Sequence, residues 1–310
     1  MLLIAHLAAR VSKWHPMLMV PAKNSQKKMQ IATWNVNSIR TRLDQVIALL
    51  NETQIDLLCL QETKVDDPLF PTDAFESKGY RVKFYGQKSY NGVALVSRKE
   101  LSDVRYGLEG ELPLDEEARE LGKQKRVISA LIEDIRVVNL YVPNGSDLKS
   151  DKYKYKLSWL KCLKRYLLEQ AKRNEPLCLL GDFNIALEDR DIHNPDRLSG
   201  GIMASAAERE SLQRIISNDL KDVFRIFESE SNHWSWWDYR SGGWERDRGW
   251  RIDHIYLSEE LLSQAKGCNI YKTFRGNPKP SDHAPVLLEL KWPEEENEEE
   301  GEEDMDLLYM

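Results

Sequence analysis

Cysteine is scarce in this chain, four in 310 residues, and no two of the four form a Cys-x-x-Cys pair. That spacing excludes the usual structural zinc site and a disulfide framework. Cys59 and Cys178 sit inside apolar runs, so reduced core thiols and a cytoplasmic setting are expected. No apolar run approaches the roughly eighteen residues that cross a bilayer, which excludes a membrane-spanning helix and membrane partners of that kind. Internal repeats are also missing, which excludes a solenoid. Acids are absent from residues 1–28, which carry five Lys or Arg, whereas residues 294–306 hold eight Glu and two Asp. Dense like charge with few apolar groups cannot offset its ordering entropy, so the tail, 293–310, is expected to be disordered. The basic head, 1–28, is expected to be a disordered or non-native extension before a natural start at Met29, with an organellar transit peptide as the alternative.

Between the ends, 29–292, the composition is that of one large globular domain. The net charge of −7 does not exclude a polyanionic partner, because the chain outside residues 1–28 and 294–306 carries 39 basic against 41 acidic residues. Local patches then decide binding. One candidate patch is Lys149, Lys152, Lys154, Lys156, Lys161, Lys164 and Arg165; a second is Arg240, Arg246, Arg248 and Arg251. The alternative for the first is a solvated helix face.

Apolar runs alternate with helical periodicity along the domain. Strands are expected over 31–34, 56–60, 80–85, 92–97, 126–132, 135–141, 177–180, 254–257 and 284–290. Helices are expected over 42–52, 153–172, 206–218 and 259–265, with Ser258 capping the last. The Gly-rich stretch 240–249 is expected to be a loop. Many strands with helices between them imply a layered α/β protein.

Polar residues follow directly on several apolar runs. Glu62 comes after Leu57-Leu58-Cys59-Leu60-Gln61, Asp182 and Asn184 after Leu179-Leu180-Gly181, and Asn35 and Asn37 after the first strand. An ionised carboxylate at the edge of a buried strand must be solvated, paired or bound to a cation. Alternation along extended chain would point the members of each pair the same way. Asn, Asp and Gly also serve plain turns, so any one pair alone carries little. Together, carboxylates and carboxamides without thiol ligands suit Mg²⁺ or Mn²⁺. Tyr141 closes another run before Pro143-Asn144-Gly145, where a phenol can donate to a phosphate oxygen. Asp282-His283 lies in Pro-Ser-Asp-His-Ala-Pro before a strand, and a histidine held by a carboxylate manages protons. Trp234, Trp236, Trp237, Trp244 and Trp250 fall within seventeen residues among arginines. Some must be core, but burying all five in a Gly-rich loop is difficult, so some exposed aromatics able to hold a base, a sugar or a kinked duplex are expected.

In motif order the chain resembles the exonuclease III family of apurinic/apyrimidinic endonucleases, within the endonuclease/exonuclease/phosphatase superfamily. The motifs are Trp34-Asn35-Val36-Asn37, Leu60-Gln61-Glu62-Thr63, Tyr141-Val142-Pro143-Asn144-Gly145, Gly181-Asp182-Phe183-Asn184, Gly249-Trp250-Arg251-Ile252-Asp253 and Ser281-Asp282-His283, spread over 29–292. The resemblance implies a four-layered α/β sandwich of two packed mixed sheets with flanking helices and the active site at one rim. It implies an Mg²⁺-dependent monomeric enzyme, with Mn²⁺ able to substitute, acting on double-stranded DNA with abasic sites or blocked 3′ ends. Glu62 would bind the cation, and Asn35, Asn37, Asp182, Asn184, Asp282 and His283 would complete the metal site. Asp182 would activate the attacking water, Asn184 and Tyr141 would contact the phosphate, and His283, oriented by Asp253, would stabilise developing charge. Trp236, Trp250 and Ile252 match positions that wall a pocket for a base-free sugar, and Asn144 and Lys152 would contact the substrate. A flipped, baseless nucleotide costs little to extrude. The segment 197–203 and the Lys-rich loop after Tyr141 depart from the family pattern, which leaves open a mainly 3′–5′ exonuclease. Other superfamily phosphodiesterases share the Glu, the Asp-x-Asn and the Ser-Asp-His but generally lack the Tyr-x-Pro-Asn-Gly and Trp-Arg-Ile-Asp contexts. A scaffold that has lost its chemistry is disfavoured because every expected catalytic position is intact.

Overall fold

The structure, a computed structural model, describes residues 28–292 apart from Asn218. The expectations for the head and tail lie outside the described residues, except that Lys28 belongs to the first strand and pairs with Lys291.

Two mixed sheets of six strands form the frame. The first has the order β11 (Ala265–Ile270), β12 (Val286–Lys291), β1 (Lys28–Asn35), β2 (Leu57–Gln61), β4 (Val93–Ser97), β3 (Arg81–Tyr85). In the second the order is β5 (Ser102–Tyr106), β6 (Val127–Ile132), β7 (Ile135–Tyr141), β8 (Leu177–Asp182), β10 (Asp253–Ser258), β9 (Leu220–Asp222). Each sheet has one parallel pair at its centre, β1 with β2 and β7 with β8, and antiparallel pairs elsewhere. The helices are α1 (Ile39–Thr53), α2 (Thr72–Glu76), α3 (Glu116–Gly122), α4 (Asp151–Ala171), α5 (Pro195–Leu198), α6 (Ala206–Ile216), α7 (Val223–Phe227) and α8 (Glu259–Leu262).

Central strands are buried on both faces, which is why they stand out in the sequence as unbroken apolar runs. Met29, Ile31, Cys59 and Leu95 of the first sheet meet Ile128, Val137, Cys178 and Leu180 of the second between the layers. Val46, Leu49 and Leu50 of α1 cover the outer face of the first sheet, and Trp159, Leu163 and Tyr166 of α4 cover that of the second. All four cysteines are buried and free, and burial pushes the thiols of Cys59 and Cys178 well up, so neither is a nucleophile.

Three strands escape the sequence pattern: β5, β9 and β11. Each is the edge of its sheet, and edge strands such as Ser-Asp-Val-Arg-Tyr need no apolar run because water covers one side. The helix expected over 259–265 stops at Leu262, since Ala265 already pairs with Leu290 in β11. Ser258 does precede that helix, but its hydroxyl accepts from Leu177 N–H at 3.0 Å and makes no cap bond.

Topology places the site. β1, β2, β7 and β8 all run toward one rim and end at Asn35, Gln61, Tyr141 and Asp182. β10 begins at that rim, with Asp253 opposite Asp182, and β12 begins there just after His283. Beneath the rim a polar link joins the sheets: Gln61 Nε2 donates to Thr33 Oγ1 and Asn139 Oδ1, and Asn139 Nδ2 donates to Leu60 O and Ala94 O.

Candidate active site

Asn35 is the hinge of the site. Its buried amide donates to Glu62 Oε2 at 3.0 Å and to Asp182 Oδ2 at 2.9 Å, tying a carboxylate of the first sheet to one of the second. Its Oδ1 accepts from Asn37 N–H, and its backbone carbonyl accepts from Ser281 Oγ at 2.6 Å. Every polar atom that could let this side chain rotate is engaged.

On the first-sheet side, Asn37 and Glu62 both hold left-handed backbone, φ 43° and 56°. Such positions cost about 1–3 kcal/mol each and persist where surrounding structure fixes them. Glu62 is partly exposed, and Lys64 Nζ lies 2.9 Å from its Oε1 and 2.5 Å from Asn37 Oδ1. Asp282 accepts from Asn37 Nδ2 at 2.9 Å and from Trp236 Nε1 at 3.0 Å. Burial opposes its ionisation, but the His283 charge and these two donors hold the Asp282 carboxyl below the usual range.

The second-sheet side is drier. Asp182 follows Gly181 at φ 141°, where a Cβ would come within 2.0 Å of the Leu140 carbonyl of β7, so only glycine lets β8 deliver Asp182 this close to its neighbour. Asn184 does not reach Asp182 by strand alternation, as the sequence suggested. β8 ends at Asp182, Asn184 takes φ 50°, and its backbone N–H donates back to Asp182 Oδ1 at 2.8 Å. Asn184 Nδ2 donates to Val142 O, and Asn184 Oδ1 accepts from Asn144 Nδ2 at 2.9 Å.

His283 stands between two carboxylates. Its Nδ1 lies 2.8 and 3.1 Å from the oxygens of Asp253, and its Nε2 lies 3.8 Å from Asp182 Oδ2. Burial alone would lower the imidazole, but Asp253 and Asp182 outweigh it and push it up to about 10. Asp182 is raised to about 7, by burial first, with Asp253 adding to the rise and His283 and Asn35 opposing it. Asp182, Asp253 and His283 bring ligand-type atoms within 4.8 Å of one another and so also form a possible acidic and histidine metal site. Burial and the Glu62 charge push the Tyr141 phenol well up, while Arg126, 4.6 Å over its ring, pulls the other way. The phenol therefore stays a hydrogen-bond donor at neutral pH.

Two cavities flank this group. One, of about 440 Å³, is lined by Glu62, Tyr141, Asn144, Arg126 and Lys152 among others. The other, of about 370 Å³, has Trp236, Trp250, Met203, Ile202, His193 and Arg248 in its wall. Ile252, expected in that wall, instead packs beneath it with Trp250, Met203 and Ile192 and is 1% exposed. The tryptophans divide between core and surface: Trp234, Trp237 and Trp250 are buried, and Trp236 and Trp244 are half-buried. Both basic patches also lose members. Arg251 is buried and paired with Asp191 and Asp222, Lys156 is buried and paired with Glu208, and Arg165 pairs with Asp115 and Glu117. Lys64, Arg126 and Ser235 were missed, the last accepting from the N–H groups of Ile252 and Asp253. Lys64 had a signal, two residues after Glu62, but the others lie far in sequence from what they touch.

Residues 32–283 match the model of the Endonuclease/Exonuclease/phosphatase family. Exodeoxyribonuclease III of Haemophilus influenzae is 35% identical over 275 residues, covering 85% of this chain and 100% of the relative. A Neisseria 3′ phosphatase solved with a product DNA hairpin is 40% identical with a TM-score of 0.80, over 85% of this chain and 100% of the other. An AP endonuclease from Archaeoglobus fulgidus is 38% identical with a TM-score of 0.78, over 84% and 98%. With motifs, fold and rim geometry in agreement, the chain belongs to the endonuclease/exonuclease/phosphatase family, among its exodeoxyribonuclease III-like members, and is a phosphodiester-hydrolysing nuclease.

Proposed function

We propose that this nuclease cuts the backbone of double-stranded DNA on the 5′ side of abasic sites and clears 3′ ends, as a cytoplasmic monomer dependent on magnesium or manganese. The carrying observation is the single Asn35 amide that holds Glu62 and Asp182 together beside the Asp253–His283 pair, next to a cavity walled by Trp236 and Trp250. That cavity suits a sugar without a base: its wall is mainly apolar and aromatic, with Arg248 available to a flanking phosphate.

The donors on the first-sheet side fit a hard cation. They are all oxygens, from Glu62, Asn37 and Asp282 with Asn35 adjacent, and the Lys64 ammonium already sits between Glu62 and Asn37 as a positive group would. A divalent cation there supplies charge neutralisation at the phosphate. The protein's own groups do the rest. Asp182, raised toward neutrality and fixed by Asn35 and Asn184, takes the proton of the attacking water. His283, held as imidazolium by Asp253, donates from Nε2 to a phosphate oxygen as charge develops. Tyr141 and Asn144 offer further donors around the same phosphate, Asn184, whose amide already donates to Val142 O and Asp182 Oδ2, holds Asn144 and Asp182 in place, and Lys152 adds affinity for the strand.

A mainly 3′-trimming enzyme is the second reading, favoured by the 40% identity to a 3′ phosphatase. A duplex with one internal abasic site and a duplex with a 3′-phosphate, each assayed with Mg²⁺ and with a chelator, separate the two. Faster cutting of the abasic duplex is expected. Intact abasic DNA alongside a cleared 3′ end would replace the first reading by the second, and activity surviving the chelator would remove the cation.

A further inference from the structure

Among the charged residues outside the site, one buried pair touches both the Asn144 and Asn184 turns and the wall of the tryptophan cavity. Lys156, from the first turns of α4, is fully buried, and its ammonium spends all three hydrogens: on Asn184 O at 2.7 Å, Asn144 O at 3.2 Å and Glu208 Oε1 at 2.5 Å. Glu208, on α6, is equally buried. Its Oε1 also accepts from Met203 N–H at 3.1 Å, and its Oε2 accepts from Ser205 N–H at 3.0 Å and Ser205 Oγ at 2.6 Å. A buried charge pair is a poor way to gain stability, since desolvation consumes most of the attraction. Apolar residues of similar size would pack α4 against α6 without that penalty.

What an apolar pair could not do is hold three loops in fixed relation. The Asn184 and Asn144 carbonyls that Lys156 grips belong to the turns whose side-chain amides meet at 2.9 Å in the site, and Asn184 is in the left-handed region. The N–H that Glu208 grips belongs to Met203, also left-handed at φ 66° and part of the wall of the tryptophan cavity. The fit is close: a Cβ on Gly145, φ 91°, would lie 3.2 Å from Lys156 Cδ and 3.0 Å from Ile202 Cδ1. We infer that Lys156 and Glu208 are positioning residues that couple the cavity wall at Met203 to the Asn144 and Asn184 amides, and so set the enzyme's preference for a nucleotide seated in the cavity over one at a strand end. The inference rests on the reading in which the cavity receives the base-free sugar.

The test variant is Lys156→Met/Glu208→Gln, which removes both charges while Gln can still serve the capping box of α6. Lys156→Met alone strands a buried carboxylate and risks unfolding, so it is a control only. Thermal unfolding sets an assay temperature at which the double variant is folded. There, turnover on the abasic duplex is expected to fall about tenfold or more, with KM changed by less than about twofold, while 3′-phosphate removal falls less than about threefold. The side-chain amide resonances of Asn144 and Asn184 should move. Equal losses on the two substrates, or turnover near that of the wild type, would overturn the coupling and leave a structural ion pair. If the wild type leaves the abasic duplex uncut, the functional reading fails, and the amide resonances decide alone: displaced signals support the positioning, unmoved ones overturn it.

Discussion

Both sheets bring carboxylates to the same rim, yet the two sets live in opposite surroundings. Glu62 and Asp282, on the first-sheet side, are partly exposed and face the Lys64 ammonium, Asn37 and the Trp236 indole. Asp182 and Asp253, on the second-sheet side, are each 1% exposed and enclose His283. A wet carboxylate keeps its charge cheaply and suits a cation, whereas a dry one shifts its proton affinity and suits proton transfer. Burial alone does not set the direction. Asp191 is buried as well and Asp222 mostly so, but Arg251 and Arg225 hold Asp191, and Arg251 holds Asp222, below the usual carboxylate range, while Asp182, whose nearest cation is an imidazole also claimed by Asp253, is raised. Among the dry carboxylates burial always pushes upward, and the partner decides whether that push prevails.

The strongest way to break this contrast is to remove the dry half. Asp182→Asn and His283→Ala should each lose at least about a hundredfold in turnover, the usual scale for a general base or a charge-stabilising donor, with DNA affinity kept. Single-turnover cleavage with a parallel binding titration checks it, and near wild-type cleavage by either variant would end that residue's role. In the cation-free protein the imidazole of His283 should remain protonated past pH 8 and lose this when Asp253 is replaced by Asn, which a ring-proton titration reads directly.

Removing the wet half should act differently. Glu62→Gln is expected to shift the Mg²⁺ titration to concentrations about tenfold or more higher, with a smaller loss at saturation, as for a weakened cation ligand. An unchanged titration curve would mean that the cation is held elsewhere, the Asp182–Asp253–His283 group being the next place to look.

The paired carboxylates can be sharpened through stability. Because the folded protein holds Asp222 and Asp191 below their unfolded values, their contribution is complete above about pH 4 and drains away as pH falls through the depressed folded values. Asp222→Asn should cost about 3 kcal/mol at neutral pH and flatten the fall of melting temperature below about pH 4. Parallel melting curves that differ by a constant offset would show that Arg251 does not depend on this charge. The smallest effect belongs to exposed Lys152. Lys152→Ala should weaken binding of all substrates alike and reduce the salt slope by about one phosphate contact, without changing preference. A change in the ratio of abasic cutting to 3′ clearing would place it closer to the chemistry than a strand contact.

How much of this could be read from residues alone differs by feature. Strand-end polar residues were legible, since Glu62, Asp182 and Asn35 each interrupt an apolar run at a point where a buried strand must surface. Edge strands β5, β9 and β11 were not, because one covered face leaves no run to detect. The fates of Lys156 and Arg251 were illegible for a related reason: a base looks the same in sequence whether water or a distant Glu208 or Asp191 answers it. Composition could not say which of the tryptophans are core, because their burial depends on chain segments such as 281–284 folding back over them.

By itself, then, the order of residues determined which segments must be buried and which polar groups must emerge beside one another, because apolar periodicity and turn chemistry are local. Which ends meet was decided only by the tertiary structure. Asn35 lies 147 residues from Asp182 and His283 lies 30 from Asp253, and the distances and burial that raise Asp182 and His283 exist only once the two sheets have closed. Proton affinity depends on dielectric surroundings and on charges a few ångströms away, and neither is written in the neighbourhood of a residue along the chain.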